Sequence, residues 1–427
     1  MLRFTNNLIM QITKDCNLRC SYCFQGDKSS WKDKQISFED FKQIVDTTLY
    51  YRCVLGRLEN YIDFHFHGGE VTLIPFKTLE QMVEYLVERK KLFPNITCCI
   101  QSNGTLLTED ICNLFKKYDV TIGISLDGIR SPNRFEDNFS KKLIENIKNL
   151  AEKTKCKFSF LSVLTTDTIP HWFEDMMFLK EYLGDSFAGT GINVLSTAST
   201  ADDNLIPTAD QLWDYWAYPV LNSYIQGNPL KERGINIALS KLLQDIIFES
   251  NLQEYSGIKT GCFDRLCGRG SNMTSIDPEL NLFKCDKYME NGDFIGLKKG
   301  IPLNNRDFLG MQTANECIKY YKQIFELEKQ FNCDYCPARW VCSGECQSAI
   351  ISKFGKPMLF EENCKLFKKI YNFVNDNWVD ILCNYKEYMS ITGKVQRVKN
   401  TANEAFLKNN VRLEYNIDNN MYKCYRV

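Results

Sequence analysis

The chain has 427 residues and a formal net charge of -1, with 52 Lys plus Arg against 53 Asp plus Glu, which supplies no field for a phosphate backbone and argues against nucleic acid as a partner. Its length suits one large domain with an appendage, or two domains. Neither a secretory signal before Ile9 nor an apolar run long enough for a membrane span is present, so a cytoplasmic setting away from membranes is expected.

In chain order, apolar runs at Leu8 to Ile12, Ile62 to Phe66, Ile96 to Ile100, Val120 to Leu126, Phe158 to Leu164 and Ile192 to Leu195 read as strands. Stretches with helical periodicity near 38–53, 76–92, 108–118, 141–154 and 173–183 lie between them. Strands alternating with helices predict parallel strands joined by crossovers, hence an α/β layer or barrel. Functional groups then gather at the carboxyl ends of the strands. Cys16, Gly68-Gly69-Glu70, Gln101 to Gly104 and Asp127-Gly128 all fall at such ends. After about residue 250 the periodicity gives way to cysteine-bearing loops from Cys262 to Cys364, interrupted only by a helix near 314–330. Such a stretch has few apolar faces, and bound metal would hold it together. Tyr371 to Tyr385 then reads as a helix, and Val411 to Tyr415 with Met421 to Val427 as a hairpin around Asp418-Asn419-Asn420. Three regions are expected: 1–250, 251–370 and 371–427.

The 19 cysteines point, in a reducing compartment, to metal binding or catalysis more than to disulfides. Cys16, Cys20 and Cys23 form a Cys-x3-Cys-x2-Cys loop directly after the first strand. A four-iron cubane takes one thiolate per iron, so three cysteines leave one iron open to a substrate or cofactor. The competing readings are a zinc site short of one ligand, or cysteines used as small apolar residues. No fourth ligand lies nearby.

With Tyr22 before the third cysteine, this loop resembles the signature of the radical S-adenosylmethionine (SAM) superfamily. The resemblance implies a partial (β/α)6 TIM-like barrel and a cluster whose open iron is chelated by S-adenosyl-L-methionine. In that family one electron, ultimately from an external low-potential donor, cleaves the sulfonium to a 5'-deoxyadenosyl radical that abstracts hydrogen. His67-Gly68-Gly69-Glu70 resembles the turn that receives the methionine amino group, although Val71 stands where the family more often has proline. Gln101-Ser102-Asn103-Gly104 resembles the third-strand end, and Ser125-Leu126-Asp127-Gly128 the fourth-strand segment near the cofactor. By this resemblance the cofactor-binding residues are Tyr22, Gly68, Gly69, Glu70, Gln101, Asn103, Ser125 and Asp127. Arg134 is placed either at the cofactor carboxylate or on the surface.

Farther on, Cys333-x2-Cys336-x5-Cys342-x3-Cys346 is followed by Cys364 and preceded by Cys262, Cys267 and Cys285. Eight thiols suit two fully ligated cubanes; the alternative is one or two zinc ribbons, which favour paired Cys-x2-Cys knuckles. The array resembles the SPASM extension of radical enzymes that modify peptides and proteins. That resemblance implies one auxiliary cluster on Cys262, Cys267, Cys285 and Cys346, a second on Cys333, Cys336, Cys342 and Cys364, and three 4Fe-4S clusters in all. Leu280 replaces the usual glycine before the third ligand. The remaining cysteines, among them Cys53, Cys98, Cys99, Cys112 and Cys156, are expected mostly as buried small residues.

Radical abstraction followed by oxidation also needs a base. Asp286, directly after Cys285, is the candidate, an aspartate having this role at the corresponding place in sulfatase maturases; an ordinary loop carboxylate is the alternative. His65 and His67 share one strand face but have no third histidine near them, and read as pocket or core residues. Three functions follow: a maturase crosslinking a ribosomally made peptide, an anaerobic sulfatase maturase forming formylglycine from Cys or Ser, or a non-enzymatic iron-sulfur or zinc protein. The first is favoured, with a peptide or protein as substrate.

Overall fold

The structure is a computed structural model that describes residues 6–23, 25, 34–54, 61–132, 134, 139–194, 202–248, 273–283, 285–286, 301–302, 322–339, 341–342, 344, 346–385, 411–416 and 421–426. Six strands alternate with helices through the first half: β1 (Asn7–Thr13), α1 (Phe38–Val54), β2 (Ile62–Gly68), α2 (Phe76–Lys90), β3 (Ile96–Ser102), α3 (Glu109–Lys117), β4 (Thr121–Ser125), α4 (Phe139–Thr154), β5 (Phe158–Leu164), α5 (Ile169–Leu183) and β6 (Phe187–Val194). Each predicted strand and helix of this half is present. Neighbouring strands from β1 to β6 pair in parallel, in sequence order. β6 ends one side of the sheet and does not pair back, so the barrel is open.

The strands have two chemically different faces. Leu8, Met10 and Ile12, Phe64 and Phe66, and Phe158 and Phe160 point into one core with Leu79, Phe115, Ile147 and Trp172 of the helices. Burying such side chains supplies roughly 1.5–3 kcal/mol each. The alternate positions, Gln11, Asp63, His65, His67, Cys99, Gln101 and Ser125, fall on the other face. A parallel sheet covered on both sides reads as continuous apolar sequence. The alternation in Ile62–Gly68 instead marks a strand with one face turned to a polar interior.

Beyond β6, three helices were not singled out by periodicity: α6 (Ala209–Leu212), α7 (Tyr218–Ile225), joined to it by a π-helical turn over Trp213–Ala217, and α8 (Arg233–Phe248). The cysteine-rich stretch also holds more regular structure than the expected loops with one helix. β7 (Met273–Ile276) pairs in parallel with β1, and β8 (Asn281–Phe283) and β9 (Ile301–Pro302) continue antiparallel, extending the sheet to nine strands. These strands are too short to show a period, and β7 gains its partner from the opposite end of the chain. Leu280, in the turn before β8, takes a left-handed φ of 62°. The turn forms despite the missing glycine because the Asn281 N–H donates to Asp277 Oδ1 at 2.8 Å and the Leu280 N–H to Asp277 O at 3.0 Å.

Residues 322–330 form α9, within the expected 314–330. α10 (Gln347–Phe354) was not expected, and α11 (Glu361–Asn384) starts at Glu361 rather than Tyr371, so Cys364 lies in its first turn. α11 packs on α7 and α8, where Asn384 donates to Tyr224 O at 2.8 Å and Tyr385 to Asn236 O at 2.9 Å. β10 (Val411–Asn416) and β11 (Met421–Arg426) form the expected antiparallel hairpin; its Asp418-Asn419-Asn420 turn lies outside the described residues. No helix among the described residues is long and apolar enough to cross a membrane.

Candidate active site

The Cys16-Cys20-Cys23 loop leaves β1 at the carboxyl edge of the sheet. Asp15 Oδ1 accepts the Cys16 N–H at 2.8 Å, and the Cys23 N–H donates to Cys20 O at 3.1 Å, closing a turn between the second and third thiols. Arg19 donates to Cys16 O at 2.6 Å and to Leu18 O at 2.9 Å. Cys16 is buried, and Cys20 and Cys23 are half-buried.

Gly68 and Gly69 hold this loop from the side. The Gly69 N–H donates to Thr13 O at 2.8 Å and the Glu70 N–H to Asp15 O at 2.7 Å. A Cβ on Gly68, whose φ is +133°, would stand 2.2 Å from Thr13 O, and one on Gly69 2.0 Å from Asp15 O. The close backbone approach that these glycines allow is therefore made by the cysteine loop's own entry segment. Gln25 adds a bond to Gly68 O at 3.0 Å.

Glu70 is fully buried. Its Oε1 accepts from the Thr72 N–H at 3.1 Å, the Thr72 hydroxyl at 2.5 Å and the Ser102 hydroxyl at 2.7 Å, and its Oε2 from the Asn103 N–H at 2.6 Å. A carboxylate this well bonded ties the turn after β2 to the end of β3. It also caps the short 3-10 turn Val71–Leu73, so the turn is held without the proline that Val71 replaces. Asn103 Nδ2 reaches Asn17 Oδ1 at 2.8 Å, and Asn17 Nδ2 donates to Thr105 Oγ1 at 2.8 Å. Asn17, inside the cysteine loop, was not singled out in the sequence. At the interior mouth Gln101 Nε2 donates to Ser125 Oγ at 2.8 Å.

Tyr22, Asp127 and Arg134 come together in a buried cluster. The Tyr22 hydroxyl donates to Asp127 Oδ2, on which Arg134 also closes with Nε at 3.1 Å, while its Nη2 meets Oδ1 at 3.1 Å. The Val163 N–H is a further donor to Oδ1 at 2.8 Å. The guanidinium lies 5.5 Å from the Tyr22 ring centre. Arg134 is thus not on the surface, its side chain being 9% exposed. Burial raises the Tyr22 pKa well above its ordinary value, against the opposing field of Arg134. Asp127 thus gathers the Tyr22 hydroxyl, two guanidinium nitrogens and the Val163 N–H, so the cluster positions the loop segment around the third cysteine.

Inside the sheet, Gln11 is 1% exposed and neither its Nε2 nor its Oε1 has a hydrogen-bond partner among the described residues. Ser275 Oγ on β7 is in the same state. Buried polar atoms normally have partners, so this face fits a bound polar group. His65 and His67 meet edge to face with ring centres 5.9 Å apart. Burial lowers the His65 pKa below its ordinary value, Arg233 adding to it against the carboxylates of Asp63 and Asp286. The ring is therefore neutral at pH 7. Asp286 follows β8, and its charge acts on this side chain of β2.

The second cysteine set converges differently. Cys333, Cys336, Cys342 and Cys364 line one cavity of about 50 Å³, together with apolar Ile324, Leu359 and Phe367. Burial pushes the Cys342 thiol up to about 12, and the fields of Cys364, Cys336 and Cys333 act in the same direction. Four soft donors around one small cavity fit a fully ligated metal centre. Cys285 is buried against Ile351 of α10, the helix that Cys346 caps; Cys262 and Cys267 lie outside the described residues. Of the leftover cysteines, Cys112 and Cys156 are buried as expected, whereas Cys53 is exposed. Cys99 is half-buried and donates to Asp63 Oδ2 at 3.0 Å.

An open parallel α/β barrel with a three-cysteine loop at its carboxyl edge defines a class of iron-sulfur enzyme. Residues 10–179 match the Radical SAM superfamily and form a radical SAM domain; members of that superfamily use a 4Fe-4S cluster and S-adenosylmethionine. It is 25% identical over 368 residues to the radical SAM cyclopropyl synthase TigE of Paramaledivibacter caminithermalis, covering 84% of this chain and 71% of TigE. It is 23% identical over 400 residues to a cysteine-type anaerobic sulfatase-maturating enzyme of Clostridium perfringens, covering 89% and 98%. In fold it is similar to native anSMEcpe with bound AdoMet and Cp18Cys peptide, with a TM-score of 0.67 at 20% identity over 89% of this chain and 99% of that one.

Proposed function

We propose that the chain is a radical SAM maturase that oxidatively modifies a ribosomally made peptide, with Cys16, Cys20 and Cys23 holding the SAM-binding cluster. The observation that carries this reading is the convergence of Cys333, Cys336, Cys342 and Cys364 on one cavity, in the segment where a SPASM domain would carry an auxiliary cluster. The other auxiliary cluster would take Cys285 and Cys346 with Cys262 and Cys267, making three. Bound there, these clusters and SAM supply the electron and the hydrogen-abstracting radical. Gln101, Asn103 and Ser125 line the cofactor side of the interior, Gly68, Gly69 and Glu70 frame the loop, and Tyr22, Asp127 and Arg134 brace it.

Asp286 is the base in this proposal. Its charge acts on the His65 ring of β2, which supports this role. The second reading, sulfatase maturation, is favoured by the nearly full-length match to the sulfatase-maturating enzyme. In either case the substrate is a peptide or protein segment, and the electron donor is external.

The test is anaerobic reconstitution, reduction with dithionite and an assay for 5'-deoxyadenosine, with candidate peptides encoded beside the gene and a sulfatase peptide as substrates. Reconstituted protein is expected to hold about twelve iron atoms per chain and to form 5'-deoxyadenosine. Replacing Cys16, Cys20 and Cys23 together by Ala is expected to remove that activity; equal product from the variant would sink the assignment. Asp286→Asn is expected to keep cofactor cleavage and lose at least about 99% of the modified peptide, in line with the 10²- to 10⁴-fold contribution of a general base. Undiminished peptide product would refute its role as base.

A further inference from the structure

The polar inner face of the barrel carries a donor set that the radical chemistry does not use. Asp63 and His65 lie two residues apart on β2, so their side chains share a face. Cys99 of β3 stands directly beside His65 in the parallel register. One ligand atom from each of Asp63, His65 and Cys99 falls within 4.8 Å of the other two. None belongs to the Cys16 loop or to the eight downstream cysteines.

We propose that Asp63, His65 and Cys99 form a zinc site inside the barrel, with the fourth tetrahedral position left to water or a donor atom of the substrate. A carboxylate, an imidazole and a thiolate are the three donor types zinc takes, and three protein ligands with one open position is the pattern of non-structural zinc sites. The charges balance. With Cys99 as thiolate, Asp63, Cys99 and Asp286 bring three negative charges against one positive on Arg233, and a divalent cation neutralises the remainder. Binding exchanges the Cys99 thiol proton for the metal and releases that proton to solvent. The present 3.0 Å bond from Cys99 Sγ to Asp63 Oδ2 then gives way to two bonds to one ion.

The sequence disguises this set. With only three histidines in the chain, none of the usual His-rich spacing is present, and Cys99 reads as one more small residue beside Cys98. Cys98 faces the opposite way, against the helix layer.

Zinc K-edge absorption on the reconstituted protein tests the proposal, because the edge is blind to iron. After exposure to zinc and desalting, about one zinc per chain is expected, with one sulfur near ~2.3 Å and nitrogen or oxygen ligands near ~2.0–2.1 Å. Cys99→Ala and Asp63→Asn are each expected to lower bound zinc at least tenfold, while Cys98→Ala retains it. A shell of four sulfurs would place the zinc in vacated cluster sites and overturn the proposal. So would zinc below about one tenth per chain in the unaltered protein, or full retention in Cys99→Ala. Should a variant fail to fold, the ligand shell of the unaltered protein decides by itself.

Discussion

Gly69→Ala is expected to strip the first cysteine loop of its iron. The added methyl would stand 2.0 Å from Asp15 O and 2.5 Å from Lys14 O, both backbone atoms with no flexible end to swing away. The turn after β2 or the loop after β1 must move, and either motion breaks the bonds from the Gly69 and Glu70 N–H groups to Thr13 and Asp15. Such overpacking costs about 3 kcal/mol, localised one residue before Cys16. Reconstituted protein should therefore lose about four iron atoms per chain and nearly all 5'-deoxyadenosine formation, while the far-UV spectrum is unchanged. Full iron content and activity in this variant would show that the loop is not held by this turn.

Asp127→Ala is expected to destabilise the fold by about 3–5 kcal/mol, the usual consequence of leaving one partner of a buried ion pair uncompensated. Arg134 has a side chain only 9% exposed, and the Tyr22 hydroxyl and the Val163 N–H would lose the same acceptor. Urea unfolding reads the loss as a drop in midpoint at constant slope. The double variant Asp127→Ala with Arg134→Met removes the orphaned charge and should recover a large part of it. If the double variant is no more stable than Asp127→Ala alone, Arg134 is not the group that Asp127 compensates. Equal stability of Asp127→Ala and the unaltered protein would show that the trio does not brace the loop.

Much of the first half was legible in the sequence because its signals are local. Strands of seven residues such as Phe158–Leu164 and helices of fifteen such as Phe76–Lys90 are long enough to show a period. Glycines at the turn after β2 were also legible, but their neighbours were not, since nothing in the order of residues says that Thr13 and Asp15 would press against them. Asp127 and Glu70 were expected as site residues from their motifs. That both are wholly enclosed and hydrogen-bonded to protein groups depends on how three strand ends meet.

The sequence by itself determined the Cys16-Cys20-Cys23 loop, because thiols a few residues apart cannot be separated by any fold. It also determined the parallel α/β order that sets this loop at a carboxyl edge. Tertiary structure alone decided that β7 pairs with β1, that the charge of Asp286 acts on His65, and that the Cys99 thiol meets the Asp63 carboxylate. Each of these joins residues distant in the chain through strand register and helix packing. A one-residue change of register would turn every such side chain to the other face, and no local pattern records which register is chosen.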